Sequence, residues 1–107
     1  MLEDISPTGW QFWREGMTAL AECPNVKLSG LGTFAHACRE DLMRPIIADA
    51  VALFGAERCF YGSNFPIEKL WTDYATLYRT FRTAIALFSE SEQAAILHDT
   101  AARLYRL

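Results

Sequence analysis

Trp10, Trp13, Met17, Leu20 and Ala21 recur at the three- and four-residue intervals of a helix face and stop short of Pro24. Thr8 stands a capping-box spacing ahead of Gln11, so the first helix is expected to open there. The period then shortens to that of a strand. Across Asn25–Gly30, Val26 and Leu28 fall on one face and Lys27 and Ser29 on the other. Gly30, Gly32 and the mixed residues up to Glu40 read as a loop. Asp41 is placed to cap a helix carrying Leu42, Ile46, Ile47, Ala50, Val51 and Phe54, with Pro45 in its first turn and Gly55 as its stop. A second strand is expected over Arg58–Tyr61, followed by the turn Gly62-Ser63-Asn64-Phe65-Pro66. Tyr74, Leu77, Tyr78, Phe81, Ile85 and Phe88 mark a further helix with Thr72 as its cap. Ser89 and Glu92 form a second capping-box pattern, opening a last helix that runs towards Tyr105.

The order is therefore helix, strand, helix, strand, helix, helix. A strand, helix, strand unit implies a crossover with parallel pairing and right-handed connection, so the class is α/β with two parallel strands, in a single domain over residues 1–107. Two parallel strands leave both outer edges unpaired and offer little sheet to the apolar faces of four helices. The chain reads as a piece of something larger, or as a protein that completes its sheet by self-association.

Composition narrows the partners. The net charge of −3 is mild and the basic residues are scattered, which leaves neither a nucleic-acid footprint nor a polybasic membrane patch. No apolar run is long enough to span a bilayer, and Met1-Leu2-Glu3-Asp4 lacks the features of a signal peptide. A soluble, cytoplasmic protein with a small-molecule or protein partner is expected. Cys23, Cys38 and Cys59 are odd in number and widely spaced, which argues for reduced, mostly buried thiols over a zinc knuckle or a disulfide framework. Chemistry is sought first at Asn64, because ligands in parallel α/β architectures bind at the carboxyl ends of strands.

Three segments are familiar in combination. Pro24-Asn25-Val26-Lys27-Leu28-Ser29-Gly30-Leu31, then Phe54-Gly55 with Arg58-Cys59-Phe60-Tyr61-Gly62-Ser63-Asn64-Phe65-Pro66, then Ala101-Ala102-Arg103-Leu104-Tyr105 resemble the carboxyl-terminal part of the amidohydrolase-related (amidohydrolase 2) family. The resemblance implies metal-dependent hydrolases with a TIM-barrel fold, among them lactonases of sugar acids and pyrone dicarboxylates. It implies that the two strands are the seventh and eighth of a (β/α)8 barrel, a fold that takes about 250 residues when complete. The family's His-x-His metal pair would then lie before Met1. A divalent metal, zinc or manganese, is implied for a complete enzyme, and none is expected on this chain alone.

Asn64 falls where most of the family carries an aspartate that binds metal or accepts a proton from the attacking water. An amide has neither the charge nor the basicity for those tasks. Asn64 is left to orient a water or bind a substrate carbonyl, or else simply to cap a turn. Lys27, with Ser29 on the same face, is placed to bind a substrate carboxylate; the alternative is an edge lysine that discourages strand aggregation. His36 with Cys38 is too few ligands for a metal, and His98-Asp99 is read as a solvated helix face. The tryptophans and the stripe Tyr74, Tyr78, Phe81 and Phe88 are expected in the core. The implied function is hydrolysis of a lactone, amide or similar carbonyl by water. The alternative is a catalytically inactive fragment that folds as a homo-oligomer by pairing exposed strands.

Overall fold

The computed structural model describes residues 6–33 and 35–106; the signal-peptide reading of Met1-Leu2-Glu3-Asp4 lies outside them. Helix α1 (Pro7–Ala19) leads to strand β1 (Val26–Leu28), α2 (Glu40–Phe54), a 3₁₀ turn (Ala56–Arg58), β2 (Cys59–Tyr61), a second 3₁₀ turn (Ile67–Leu70) and α3 (Tyr74–Ala84). The carboxyl-terminal helical run is continuous, as α4 (Glu90–Ala94), a π-helical segment (Ala95–Asp99) and α5 (Thr100–Tyr105). The strands pair in parallel, with Val26 opposite Cys59, Lys27 opposite Phe60 and Leu28 opposite Tyr61. The α/β class and the crossover stand as expected.

Strand alternation sorts the sheet into two faces. Val26, Leu28, Cys59 and Tyr61 turn towards α2 and α3, where Met43, Ile47, Ala50, Leu77 and Phe81 close the core around them. Lys27 and Phe60 occupy the other face. Phe60 is covered there by the edge of the Tyr105 ring at 5.9 Å, whereas Lys27 is exposed. Among the described residues each strand has one unpaired edge.

One side chain ties the layers together from behind the sheet. The Arg58 guanidinium donates to the carbonyls of Phe54 at 2.7 Å, Ala21 and Cys23 at 2.9 Å each, and Leu53 at 3.4 Å, and lies over the Phe54 ring. These are carbonyls left without partners as the chain leaves α1 and α2, and a planar donor fork meets several at once. At the opposite end of the chain, the buried Thr100 hydroxyl reaches the carbonyls of Ala56 and Glu57, both at 3.1 Å, and docks the last helix onto the 3₁₀ turn before β2.

Several local expectations shift. Ser6, not Thr8, caps α1 through Gly9 N, and Asp73, not Thr72, caps α3 through Thr76 N at 2.7 Å. Arg39 precedes α2 without a side-chain cap, so Asp41 lies in the first turn and Pro45 sits one turn further in. Asp41 there pairs with Arg39, whose hydrogen bond holds its carboxyl below the usual range. The Ser89–Glu92 capping box and the Gly55 stop, at φ 78°, are as expected. Only Cys59 of the three thiols is buried; Cys38 is half-buried and Cys23 exposed. Phe81 is core, but Trp10, Trp13, Trp71, Tyr78 and Phe88 are half-buried and Tyr74 is 56% exposed. With so little sheet beneath them, the outer helices cover their apolar faces only in part.

Candidate active site at the strand ends

Both strands end on the same rim. The ladder runs one bond past β2, Gly62 N donating to Leu28 O at 3.0 Å, and the chain then turns through Ser63 and Asn64. Asn64 takes a left-handed conformation, φ 58°, which asparagine tolerates better than most residues, and the Phe65–Pro66 peptide is cis. The turn feeds the 3₁₀ segment, Asn64 O accepting from Glu68 N at 3.2 Å.

Lys27 and Ser29 flank Gly62. A Cβ at Gly62 would stand 2.3 Å from Lys27 Cε and 3.0 Å from Ser29 Cβ, so the glycine is what lets the lysine stem lie across the end of β2. Lys27, Ser29 and Gly62 therefore share one face, and the exposed ammonium stays available to an anion.

The centre of the rim is a residue that sequence reasoning did not single out. Glu68 is 1% exposed. Its Oε1 accepts from Thr33 Oγ1 at 3.2 Å and from Asn64 Nδ2 at 3.3 Å, while Oε2 accepts from Trp71 Nε1. Asn64 Nδ2 also reaches Thr33 Oγ1 at 3.5 Å. The loop from β1 closes over this carboxylate because Gly32 has no side chain: a Cβ there would meet Ala37 O at 2.2 Å and approach Glu68 Oε2 at 3.6 Å. The usable signal in the sequence was the four-residue step from Asn64 to Glu68 and the three-residue step on to Trp71, which only the 3₁₀ turn brings together.

Beside Glu68 lies Tyr61, whose hydroxyl is buried without a hydrogen-bond partner among the described residues. Burial, with smaller contributions from Tyr74, Tyr78, Cys38 and Glu68, pushes its phenol up to about 12. The cavity framed by Ser29, Tyr61, Ser63 and Glu68 measures about 10 Å³, far below the roughly 300 Å³ or more of an enclosed ligand site. Larger hollows lie on the outer face of α1, near Arg14 and Thr18, and are shallow and remote from the strand ends. Among the described residues the rim thus supplies a wall and not a closed pocket.

His36 stacks on the Trp71 ring at 5.2 Å, close to this rim, while His98 pairs with Asp99 at 3.1 Å on an exposed helix surface. The described residues bring together no group of three or more His, Cys, Asp or Glu side chains fit to hold a metal ion. Glu68, the carboxylate bonded to Asn64, is already engaged at both oxygens. By themselves these residues do not suit a divalent metal.

The parallel pair with its crossover helix, and the segments that carry the rim, define the class: the chain belongs to the Amidohydrolase family, matching it over residues 3–107. Among its relatives are the uncharacterized protein y4mH of Sinorhizobium fredii, 39% identical across 94% of this chain and 35% of that protein. L-fucono-1,5-lactonase of Burkholderia multivorans is 35% identical across 97% of this chain and 38% of the enzyme. A crystal structure of a B. multivorans amidohydrolase with bound zinc superposes with a TM-score of 0.86 at 28% identity, covering 99% of this chain and 40% of that one. The chain therefore spans about two fifths or less of the relatives it matches. No helix among the described residues is long and apolar enough to cross a membrane.

Proposed function

We propose that this chain forms the wall of a hydrolase active site in which water attacks the carbonyl of a lactone, amide or related substrate. The sheet and its helices correspond in this reading to neighbouring units of a (β/α)8 barrel, with the rim on the side where such barrels carry their chemistry. What supports it is that both strands end together, with Lys27 and Ser29 beside Gly62 and Asn64 two residues further along the same turn, in a member of the Amidohydrolase family. Lactones of sugar acids are the favoured class, from the lactonase among the relatives. Water adds to the carbonyl carbon, the ring C–O bond breaks, and the ring oxygen leaves as a hydroxyl with a proton from the water. The product gains a carboxylate. Lys27 suits that anion through charge, Ser29 suits a hydroxyl through its own, and Asn64 orients the water or a substrate group. A divalent metal joins this reading only with ligands from beyond the described residues.

The test is hydrolysis of a lactone panel headed by L-fucono-1,5-lactone, with zinc or manganese added. Turnover above buffer that falls on K27A or N64A supports the reading; turnover equal to buffer for the 107-residue chain rejects intrinsic activity.

A second reading has its own observation: each strand offers an unpaired edge among the described residues, a template for pairing with another chain. In it the chain is a non-catalytic homo-oligomer. Light scattering after size exclusion separates the two, since a monomer that binds no hydrophobic dye contradicts it.

A further inference from the structure

Glu68 accepts hydrogen bonds from three neutral side chains and meets no cation among them. A carboxylate can only accept, so whatever faces it must donate. The side-chain amide of Asn64 is therefore turned with its NH2 group to Glu68; the flipped amide would set a carbonyl oxygen against a carboxylate oxygen. Thr33 completes the arrangement. Its hydroxyl proton goes to Glu68 at 3.2 Å, which leaves its oxygen to accept from Asn64 Nδ2 at 3.5 Å. Trp71, a donor only, occupies the far oxygen and keeps the carboxylate from rotating.

We infer that Glu68 is a positioning residue which, with Thr33, holds the NH2 group of Asn64 and leaves Oδ1 as the group offered to a ligand. Position 64 is then a hydrogen-bond acceptor: it holds the attacking water or a substrate hydroxyl by its proton, and it does not polarise a substrate carbonyl. The role of position 64 towards ligand rests on the hydrolase reading; the orientation of its amide does not.

Nuclear magnetic resonance of the labelled chain tests the orientation without any substrate. The two Nδ2 protons of Asn64 are expected to exchange with solvent about tenfold more slowly than those of an exposed asparagine, the scale of one net hydrogen bond. E68Q is expected to abolish that protection, because the new amide cannot accept from both Asn64 and the Trp71 indole. W71F removes the competing donor while keeping a ring against His36, so E68Q/W71F is expected to restore protection, a rescue that loss of packing would not produce. Protection unchanged in E68Q, or absent from the parent chain, overturns the inference. Should E68Q fail to fold, T33V decides: faster exchange of the Asn64 protons supports it, and retention of full protection overturns it. With L-fucono-1,5-lactone as the probe, binding is expected to shift Asn64 Cγ while its NH2 protons stay protected; release of those protons overturns the acceptor role. If the lactone does not bind, the hydrolase reading fails, and the exchange data still decide the orientation.

Discussion

The substitution N64D, which installs the aspartate that the family resemblance implies at this position, is expected to damage this particular chain. It replaces a donor 3.3 Å from Glu68 Oε1 with a second carboxylate oxygen, beside a side chain that is 1% exposed. At that separation two unit charges repel by about 4–5 kcal/mol at an effective dielectric of about 20, and the lost hydrogen bond to a charged acceptor adds about 1.5–3 kcal/mol. The pair evades part of this by sharing a proton, so the net loss at pH 7 is expected to be about 3–5 kcal/mol, a large share of the roughly 5–15 kcal/mol available to a domain. The sign with pH follows: the two carboxylates bind a proton more tightly folded than unfolded, so the deficit is small below the unfolded carboxylate range and grows as pH rises. Adding E68Q to N64D gives the new carboxylate an amide donor and is expected to return about 2 kcal/mol or more, a coupling typical of residues in contact. Urea denaturation followed by tryptophan fluorescence, at pH 5 and pH 7.5, measures all four members of the cycle. A loss below about 0.5 kcal/mol for N64D, or additive effects, would refute the reasoning.

Three further outcomes follow from the packing. R58K keeps the charge but loses the planar fork that reaches four carbonyls, and is expected to cost about 2–4 kcal/mol in the same assay; a change within 0.5 kcal/mol, the usual scatter of surface substitutions, would contradict it. G32A drives a methyl group into Ala37 O and towards Glu68, and is expected to cost about 1–3 kcal/mol and to speed exchange of the Trp71 indole proton; unaltered indole exchange would count against the loop closure. Burial pushes the Cys59 thiol up from 9.0 to about 11, against a smaller opposing effect of Arg58. Because its proton is held more tightly in the folded state, the stability it contributes is complete below pH 9 and lost as pH rises towards 11, by up to about 2–3 kcal/mol. C59A, kept under reductant beside the parent chain, is expected to flatten that alkaline decline, and parallel curves would contradict the assignment.

What the chain pattern revealed was what depends on neighbours in sequence. Period-two alternation placed Lys27 opposite to Val26 and Leu28 in orientation, and the Ser89–Glu92 box and Gly55 marked helix ends that need only local hydrogen bonds. Where several capping residues stand together, local chemistry is nearly degenerate and the wider packing chooses, so the caps moved from Thr8 to Ser6 and from Thr72 to Asp73. The rim itself was half legible: Asn64, Lys27 and Ser29 follow from strand ends and alternation. Glu68 and Arg58 were not, because beside its near neighbours each gathers partners 35 residues or more away, at Thr33 for one and at Ala21 and Cys23 for the other. A charged side chain is ordinarily exposed, and only the fold shows that these two are gathered in by donors and carbonyls.

The reading of the rim as a ligand site is tested most directly by titrating the isotope-labelled 107-residue chain with L-fucono-1,5-lactone and with the sugar acid formed when its ring opens. The account predicts that both shift the resonances of Lys27, Ser29, Gly62 and Asn64, and that the acid acts more strongly on Lys27 than the uncharged lactone does. Shifts confined to the outer face of α1, or none at these four residues for either compound, would contradict it.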